Sequence, residues 1–299
     1  MTIAGTSTGI TASIATLDVG GTSIKAGAVA VAGPNGAQVV LCDTRPAHAD
    51  GNRATIIGQL TASVEAALDI VGPAPTGLAI GFPGPFDLDA GTALIHGLFK
   101  YESIYGLDLR AALRAEIPGL ADLPIRFVHD NEAAGVGEAL FGAGRGYDRV
   151  LTVTLGTGVG ACLTDRGTVI QWVGDLEVEK LARRSTPEGR ADDVLSARGL
   201  AARYEIEREL LADHLAPRPL AAELAAIARE HGTAVGRFLR PAVDELGLDA
   251  IVIGGGLAAA YDLFGAEIEA ELPIPCRVEA LGATGPMLGA AHLGFPEMF

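Results

Sequence analysis

Cysteine is scarce: the 299-residue chain holds only Cys42, Cys162 and Cys276. Far apart and odd in number, they exclude a disulfide framework and a cysteine metal knuckle. Positive charge is in short supply too. Lys and Arg total 22 against 37 Asp and Glu, a formal net charge of −15. No basic run offers a footprint for nucleic acid, an anionic membrane or a polyanionic polymer. No apolar run reaches the length of a membrane span, and residues 1–13 lack the charged and apolar regions of a secretory signal. A cytoplasmic location is the resulting expectation. The P-loop pattern G-x-x-x-x-G-K-[ST] is also absent.

What the chain does have is small apolar residues and glycine. Hydrophobic residues make up 49% and Gly numbers 40, which suits a well-packed soluble protein rich in small residues, with tight turns and close backbone approaches. Residues 1–13 read as a flexible tail. Strands are expected at 14–19 and 24–31, joined by a Gly-Gly-Thr turn, with a third near 39–42. A helix is expected over 54–71, a strand at 78–82 ending in the turn P-G-P-F-D, a helix over 108–116 and a strand at 125–128. The pattern then restarts, with strands at 150–155 and 161–164 around G-T-G-V-G. An Ala/Glu/Arg-rich stretch over 192–246 reads as helical. A strand at 251–253 enters G-G-G-L-A-A-A, and a closing helix spans 287–293.

The repeat organises the molecule. V-G-G-T-S-I-K-A-G-A-V and T-L-G-T-G-V-G-A-C-L are both strand, Gly-Thr turn, strand, about half a chain apart. Two related halves, each opening with such a hairpin, are expected to face each other across a cleft and grip a phosphate-bearing ligand.

Three glycine turns and one acid carry the candidate chemistry. In D-V-G-G-T-S-I-K, Asp18 stands at a strand end, Gly20 and Gly21 offer backbone amides to phosphate oxygens, and Thr22 adds a hydroxyl. Asp18 is suited to Mg²⁺, directly or through water. An ordinary hairpin turn would also explain these residues. Gly156, Thr157 and Gly158 have the same two readings. Gly254, Gly255 and Gly256 fit a nucleotide over a helix N-terminus or simply a close strand-to-helix turn. In R-F-V-H-D-N-E, His129 and Asp130 end an apolar run, a costly place for charge without a partner or a task. Asp130 can cap the following helix, and Glu132 suits that helix's dipole.

Taken together, these motifs resemble the ROK family of sugar kinases and regulators, within the actin and hexokinase superfamily. The resemblance runs from Asp18 to the closing helix. It implies a two-lobed, duplicated, ribonuclease-H-like α/β fold, with a smaller lobe at 14–128, a larger lobe at 129–285 and a helix at 286–299 returning to the first lobe. It implies ATP with Mg²⁺ and a sugar hydroxyl whose proton passes to Asp130. ATP and phosphate contacts fall to Asp18, Gly20, Gly21, Thr22, Lys25, Gly156, Thr157, Gly158 and Gly254 to Gly256. Sugar contacts fall to Gly84, Gly97, His129, Asp130, Trp172, Asp175 and Glu177. A homodimer is also implied.

The departures from the family lie on the sugar side. The family pairs Asn with the catalytic aspartate, where this chain has His129. The sugar-contacting Asn after the P-G-P turn is matched by Gly97. The segment Glu-x-Gly-His becomes W-V-G-D, with Trp172 and Asp175, followed by Leu176-Glu177 as in the polyphosphate glucokinase branch. The cysteine knuckle C-x-C-G-x-x-G-C is missing, so no structural zinc is expected. The expectation is a kinase with an altered acceptor, an amino sugar such as kanosamine, using ATP rather than polyphosphate. A glucokinase or cyclitol kinase is the alternative within the family. A sugar-sensing regulator would need a DNA-binding module, and about 13 residues ahead of the first strand are too few for one.

Overall fold

The computed structural model describes residues 11–32, 36–98, 100–207, 210–216 and 220–299. Most of the expected tail, residues 1–10, lies outside the described residues. The chain divides into two compact units, one of residues up to Gly137 with Ala283–Phe299, the other Glu138–Gly282.

The first unit is built on a five-stranded sheet. β1 (Ala12–Val19) is buried at nearly every position, as a strand covered on both faces must be. It pairs antiparallel with β2 (Ser23–Val31), which pairs antiparallel with β3 (Ala37–Pro46). The 19-residue helix α1 (Arg53–Val71) follows. Asn52 caps it by accepting a hydrogen bond from the Thr55 N–H, and Ile56, Leu60, Val64, Ala67 and Val71 form its buried stripe. α1 passes a test of length and composition for a membrane-crossing helix, although polar residues interrupt its apolar ones. In the fold, α1 packs along β1, β2 and β3.

β4 (Gly77–Phe82) runs parallel to β1. The short pair β5 (Phe86–Asp87) and β6 (Thr92–Ala93) and helix α2 (Leu109–Glu116) lead to β7 (Ile125–His129), parallel to β4. The sheet order is β3-β2-β1-β4-β7. Helix α3 (Asp130–Phe141) starts at the next residue.

The second unit repeats the plan. β8 (Arg149–Leu155), β9 (Val159–Asp165) and β10 (Thr168–Ile170) form an antiparallel meander. Two small hairpins follow, β11 (Trp172–Val173) with β12 (Leu176–Glu177) and β13 (Ser185–Thr186) with β14 (Gly189–Arg190). The stretch read as one helical run is broken into α4 (Ala191–Val194), α5 (Ala197–Arg203), α6 (Leu211–Leu215) and α7 (Ala222–Leu246), part of it outside the described residues. Ser196 explains one break: its hydroxyl accepts from the Gly199 N–H and caps a new start. β15 (Ala250–Gly254) is parallel to β8, and after α8 (Gly265–Glu271) β16 (Cys276–Val278) is parallel to β15. The order β10-β9-β8-β15-β16 mirrors the first sheet. The two related halves expected from the repeat are therefore present as two five-stranded α/β sheets of the same order.

Helix α9 (Gly285–Gly294) belongs to the first unit and packs on β1, β4 and β7. The division between units falls after Gly137, inside α3, whereas the sequence places it after residue 128. Close packing is the reason. A methyl group on Gly289 would collide with the Ala133 carbonyl, and one on Gly137 with the Gly285 carbonyl. The first turns of α3 thus stay with α9 and the first sheet.

Candidate active site

In the first unit, parallel strands β1, β4 and β7 end along one edge. Their register sets Asp18 beside Gly81 and Phe82 beside His129. That edge gathers Asp18, the Gly20–Thr22 turn, the P-G-P turn and the His129-Asp130 pair. The carboxyl edge of parallel strands is where α/β sheets bind ligands. A methyl group on Gly84 would lie 3.8 Å from the His129 imidazole, so these two predicted residues are neighbours. Gly97, at φ 71°, faces open space, since a methyl there would meet nothing within 4 Å.

The first turn is held from several sides. The Gly20 N–H donates to the Ser23 carbonyl at 2.9 Å, and the Ala47 N–H donates to the Thr22 carbonyl at 3.0 Å. The Tyr101 hydroxyl donates to the Gly20 carbonyl at 2.7 Å. Lys25 sits directly across the hairpin from Asp18, and its Nζ is 2.9 Å from Asp18 Oδ2. This pairing follows from a hairpin with two charges in facing positions.

Asp130 opens α3, and its Oδ1 accepts from the Asn131 N–H at 2.8 Å. Burial pushes its carboxyl above the usual carboxylate range. The Lys100 ammonium opposes that shift, Asp18 adds to it, and the Asn131 N–H and His129 oppose it. A carboxylate made more basic by burial, beside a glycine turn, can take a proton from a hydroxyl next to a bound phosphate.

In the second unit, β8 and β15 are parallel, with Gly254 beside Thr154. The Gly156–Gly158 turn and the Gly254–Gly256 turn therefore leave the same edge. The first closes on itself, the Gly156 N–H donating to the Gly158 carbonyl at 2.9 Å, and Thr157 lies at its tip. Asp192 braces it by accepting from the Val159 N–H at 2.7 Å. Gly255 has φ 86°, and a methyl there would stand 2.9 Å from the Leu155 nitrogen, so this turn requires glycine. Glu279 accepts from the Gly255 N–H at 3.2 Å. The segment after it, Gly256–Leu263, is a 3₁₀ helix with a non-helical break at Ala260. The expected helix N-terminus is thus a tighter, irregular turn.

Trp172, Asp175 and Glu177 share the β11–β12 hairpin. Trp172 faces Glu177 in register, and Gly174, at φ 56°, and Asp175 form its two-residue turn. Trp172 is 56% exposed. Lys180 Nζ lies 5.9 Å from the ring centre and 2.5 Å from Glu177 Oε2.

Sequence reasoning missed Lys100, Tyr101, Asp192 and Glu279. No local signal could have found Tyr101, which meets Gly20 across 81 residues of chain.

The chain is 26% identical over 158 residues to a beta-glucoside kinase of Listeria monocytogenes, covering 53% of this chain and 48% of that protein. It is 27% identical over 185 residues to a polyphosphate glucokinase of Mycobacterium tuberculosis, covering 58% and 63%. The first alignment spans about half of its relative's length. In fold, the chain resembles a ROK family glucokinase from Streptomyces griseus solved with glucose and AMPPNP. The TM-score is 0.70 at 21% identity, over 94% of this chain and 98% of that one. The ROK family model matches residues 14–174, just over half of the sequence, from within β1 to Gly174 in the Trp172 hairpin. The repeated glycine hairpins, Asp130 at the end of β7 and the duplicated sheet are thus features of a chain that belongs to the ROK family.

Proposed function

We propose that this chain is a sugar kinase that transfers the γ-phosphoryl group of ATP to the primary 6-hydroxyl of a hexose, Asp130 taking the hydroxyl proton. The observation that carries the reading is the placement of Asp130 at the carboxyl edge of β7, on the edge that also holds Asp18 and the Gly20–Thr22 turn. The turns at 20–22, 156–158 and 254–256 offer phosphate and nucleotide contacts. His129, Gly84 and the Trp172 hairpin are assigned to the sugar.

Mg²⁺ accompanies ATP in this reading. Among the described residues no group of three or more His, Cys, Asp or Glu could hold a metal ion. That suits Mg²⁺, which keeps waters and phosphate oxygens and needs only one or two carboxylates. Asp18, with a side chain 14% exposed, is the carboxylate beside the turn that fits. Bound there, the ion would offset phosphate charge.

The finer reading concerns donor and acceptor. A polyphosphate track needs unpaired cations, yet the chain carries a net charge of −15, and Arg184 is held by two 2.6 Å hydrogen bonds to Glu245. ATP is therefore the donor. Asp175 replaces a histidine that can donate a hydrogen bond, and an ionised carboxylate only accepts. An ammonium group on the sugar supplies the donor, which points to an amino sugar such as kanosamine and to amino-sugar or antibiotic-precursor metabolism. Such a charge-assisted bond is worth about 1.5–3 kcal/mol.

The test is kcat/KM for kanosamine, glucosamine, glucose and a cyclitol with ATP, repeated with polyphosphate and with Asp175→His. ATP turnover with kanosamine ahead of glucose is expected, with the preference reduced in the variant. Glucose as the best acceptor removes the amino-sugar assignment. Sugar binding without phosphoryl transfer makes the chain a non-catalytic sugar-binding protein.

A further inference from the structure

We infer that Lys100 is a catalytic residue of the phosphoryl transfer, its ammonium binding oxygens of the phosphoryl group in flight between the Gly20–Thr22 turn and the hydroxyl held by Asp130. The inference rests on the kinase reading and adds to it a residue that no motif contains.

Geometry places Lys100 there. A methyl group on Gly21 would lie 3.8 Å from Lys100 Cδ, so the lysine stem runs across the face of the first glycine turn. The backbone that carries it is pinned. The next residue, Tyr101, is fully buried, and its hydroxyl reaches the Gly20 carbonyl at 2.7 Å. The Tyr101 N–H donates to the Ala49 carbonyl at 2.5 Å, and the Ser103 hydroxyl to the Gly51 carbonyl at 2.6 Å. The backbone next to Lys100 is thereby held beside the turn that its stem approaches.

Charge balance gives it the task. The lysine of the glycine motif, Lys25, is already paired with Asp18 at 2.9 Å. Lys100 has no ion pair among the described residues, while its field reaches Asp130. Phosphate brought to this edge meets two carboxylates, Asp18 and Asp130, and Lys100 is the cation positioned to offset that repulsion.

In the step itself, the hydroxyl oxygen forms a bond to the γ-phosphorus and the bond from that phosphorus to the β-bridging oxygen breaks. The electron pair leaves with ADP, and the hydroxyl proton passes to Asp130. Lys100 takes no part in the proton transfer and stabilises negative charge on the non-bridging oxygens, which is greatest in the transition state.

The experiment compares wild type, Lys100→Met and Lys100→Gln with ATP and the best sugar from the acceptor panel. Each variant's Kd for ADP is measured, and each is titrated with aluminium fluoride in the presence of ADP, Mg²⁺ and sugar. A kcat loss of about 100-fold or more is expected in both variants. Sugar KM and ADP affinity should stay within a few-fold, and the fluoride-dependent tightening of ADP should be lost. Near-wild-type kcat, or retained tightening, overturns the role of Lys100 while leaving the kinase reading intact. A wild-type protein without phosphoryl transfer overturns the kinase reading itself.

Discussion

Asp130 shows how one side chain is set for its task by its surroundings. Burial lifts its carboxyl above the ordinary range, and Lys100, the Asn131 N–H and His129 only partly counter this. A group whose folded pKa is raised stabilises the fold at low pH and loses that contribution as pH rises through the folded value. At neutral pH the ionised side chain therefore costs stability, and in the proposed role it is a stronger base. Asp130→Asn should lower kcat by about 10²–10⁴-fold and unfold at an equal or higher urea concentration than wild type. In wild type, kcat/KM should fall on the acid side through a pKa above the reference carboxylate value of about 3.9. Near-normal turnover of the variant, or an acid limb at or below that value, removes Asp130 as the base.

At the scale of elements, Glu138 joins segments that no sequence pattern connects. It lies late in α3 and is 3% exposed. Its carboxylate accepts from the Ala143 N–H at 2.8 Å, the Ala280 N–H at 3.0 Å and the Leu281 N–H at 2.9 Å. The end of α3 is thereby tied to the strand of chain leading out of the second unit. Hydrogen bonds to a buried charge are strong, and losing the acceptor leaves several amides without partners. Glu138→Ala should cost about 3 kcal/mol or more, read as a shift in the urea midpoint. Glu138→Gln, which keeps one carbonyl acceptor, should cost less. Wild-type stability of Glu138→Ala would show that water replaces the carboxylate without loss.

For the whole molecule, acidification has two opposing effects. A net charge of −15 is reduced as carboxylates protonate, which lessens self-repulsion. Against this stands His231, buried in α7 with both ring nitrogens unpartnered and its ring edge-on to Phe264. Burial, helped by the charge of Arg203, lowers its pKa from 6.5 to about 4. Between those values the unfolded chain binds a proton that the folded chain refuses, so stability is present above about pH 6.5 and is lost as pH falls. The loss is about 1.4 kcal/mol per pH unit inside that window. Urea unfolding at pH 7 and pH 5 should show a drop in wild type that His231→Leu flattens. An equal drop in both proteins assigns acid sensitivity to other groups.

The sequence by itself determined the strand–turn–strand repeat, the stripe of α1, the acid at the end of β7 and the glycine turns. Each is written within a few consecutive residues, because side-chain period, turn geometry and capping are local properties of the backbone. The Ala/Glu/Arg composition of residues 192–246 was legible as helical but not as several helices, since composition sets propensity and a single cap such as Ser196 sets a start. Only the tertiary structure decided which groups surround Asp130. Parallel strands are joined by long crossovers, so the neighbours of Asp18, Gly81 and His129 depend on register between segments far apart in sequence. The same holds for Tyr101 against Gly20 and for Glu138 against Leu281. It also holds for Lys100, whose stem lies near Gly21 across about 80 residues of chain.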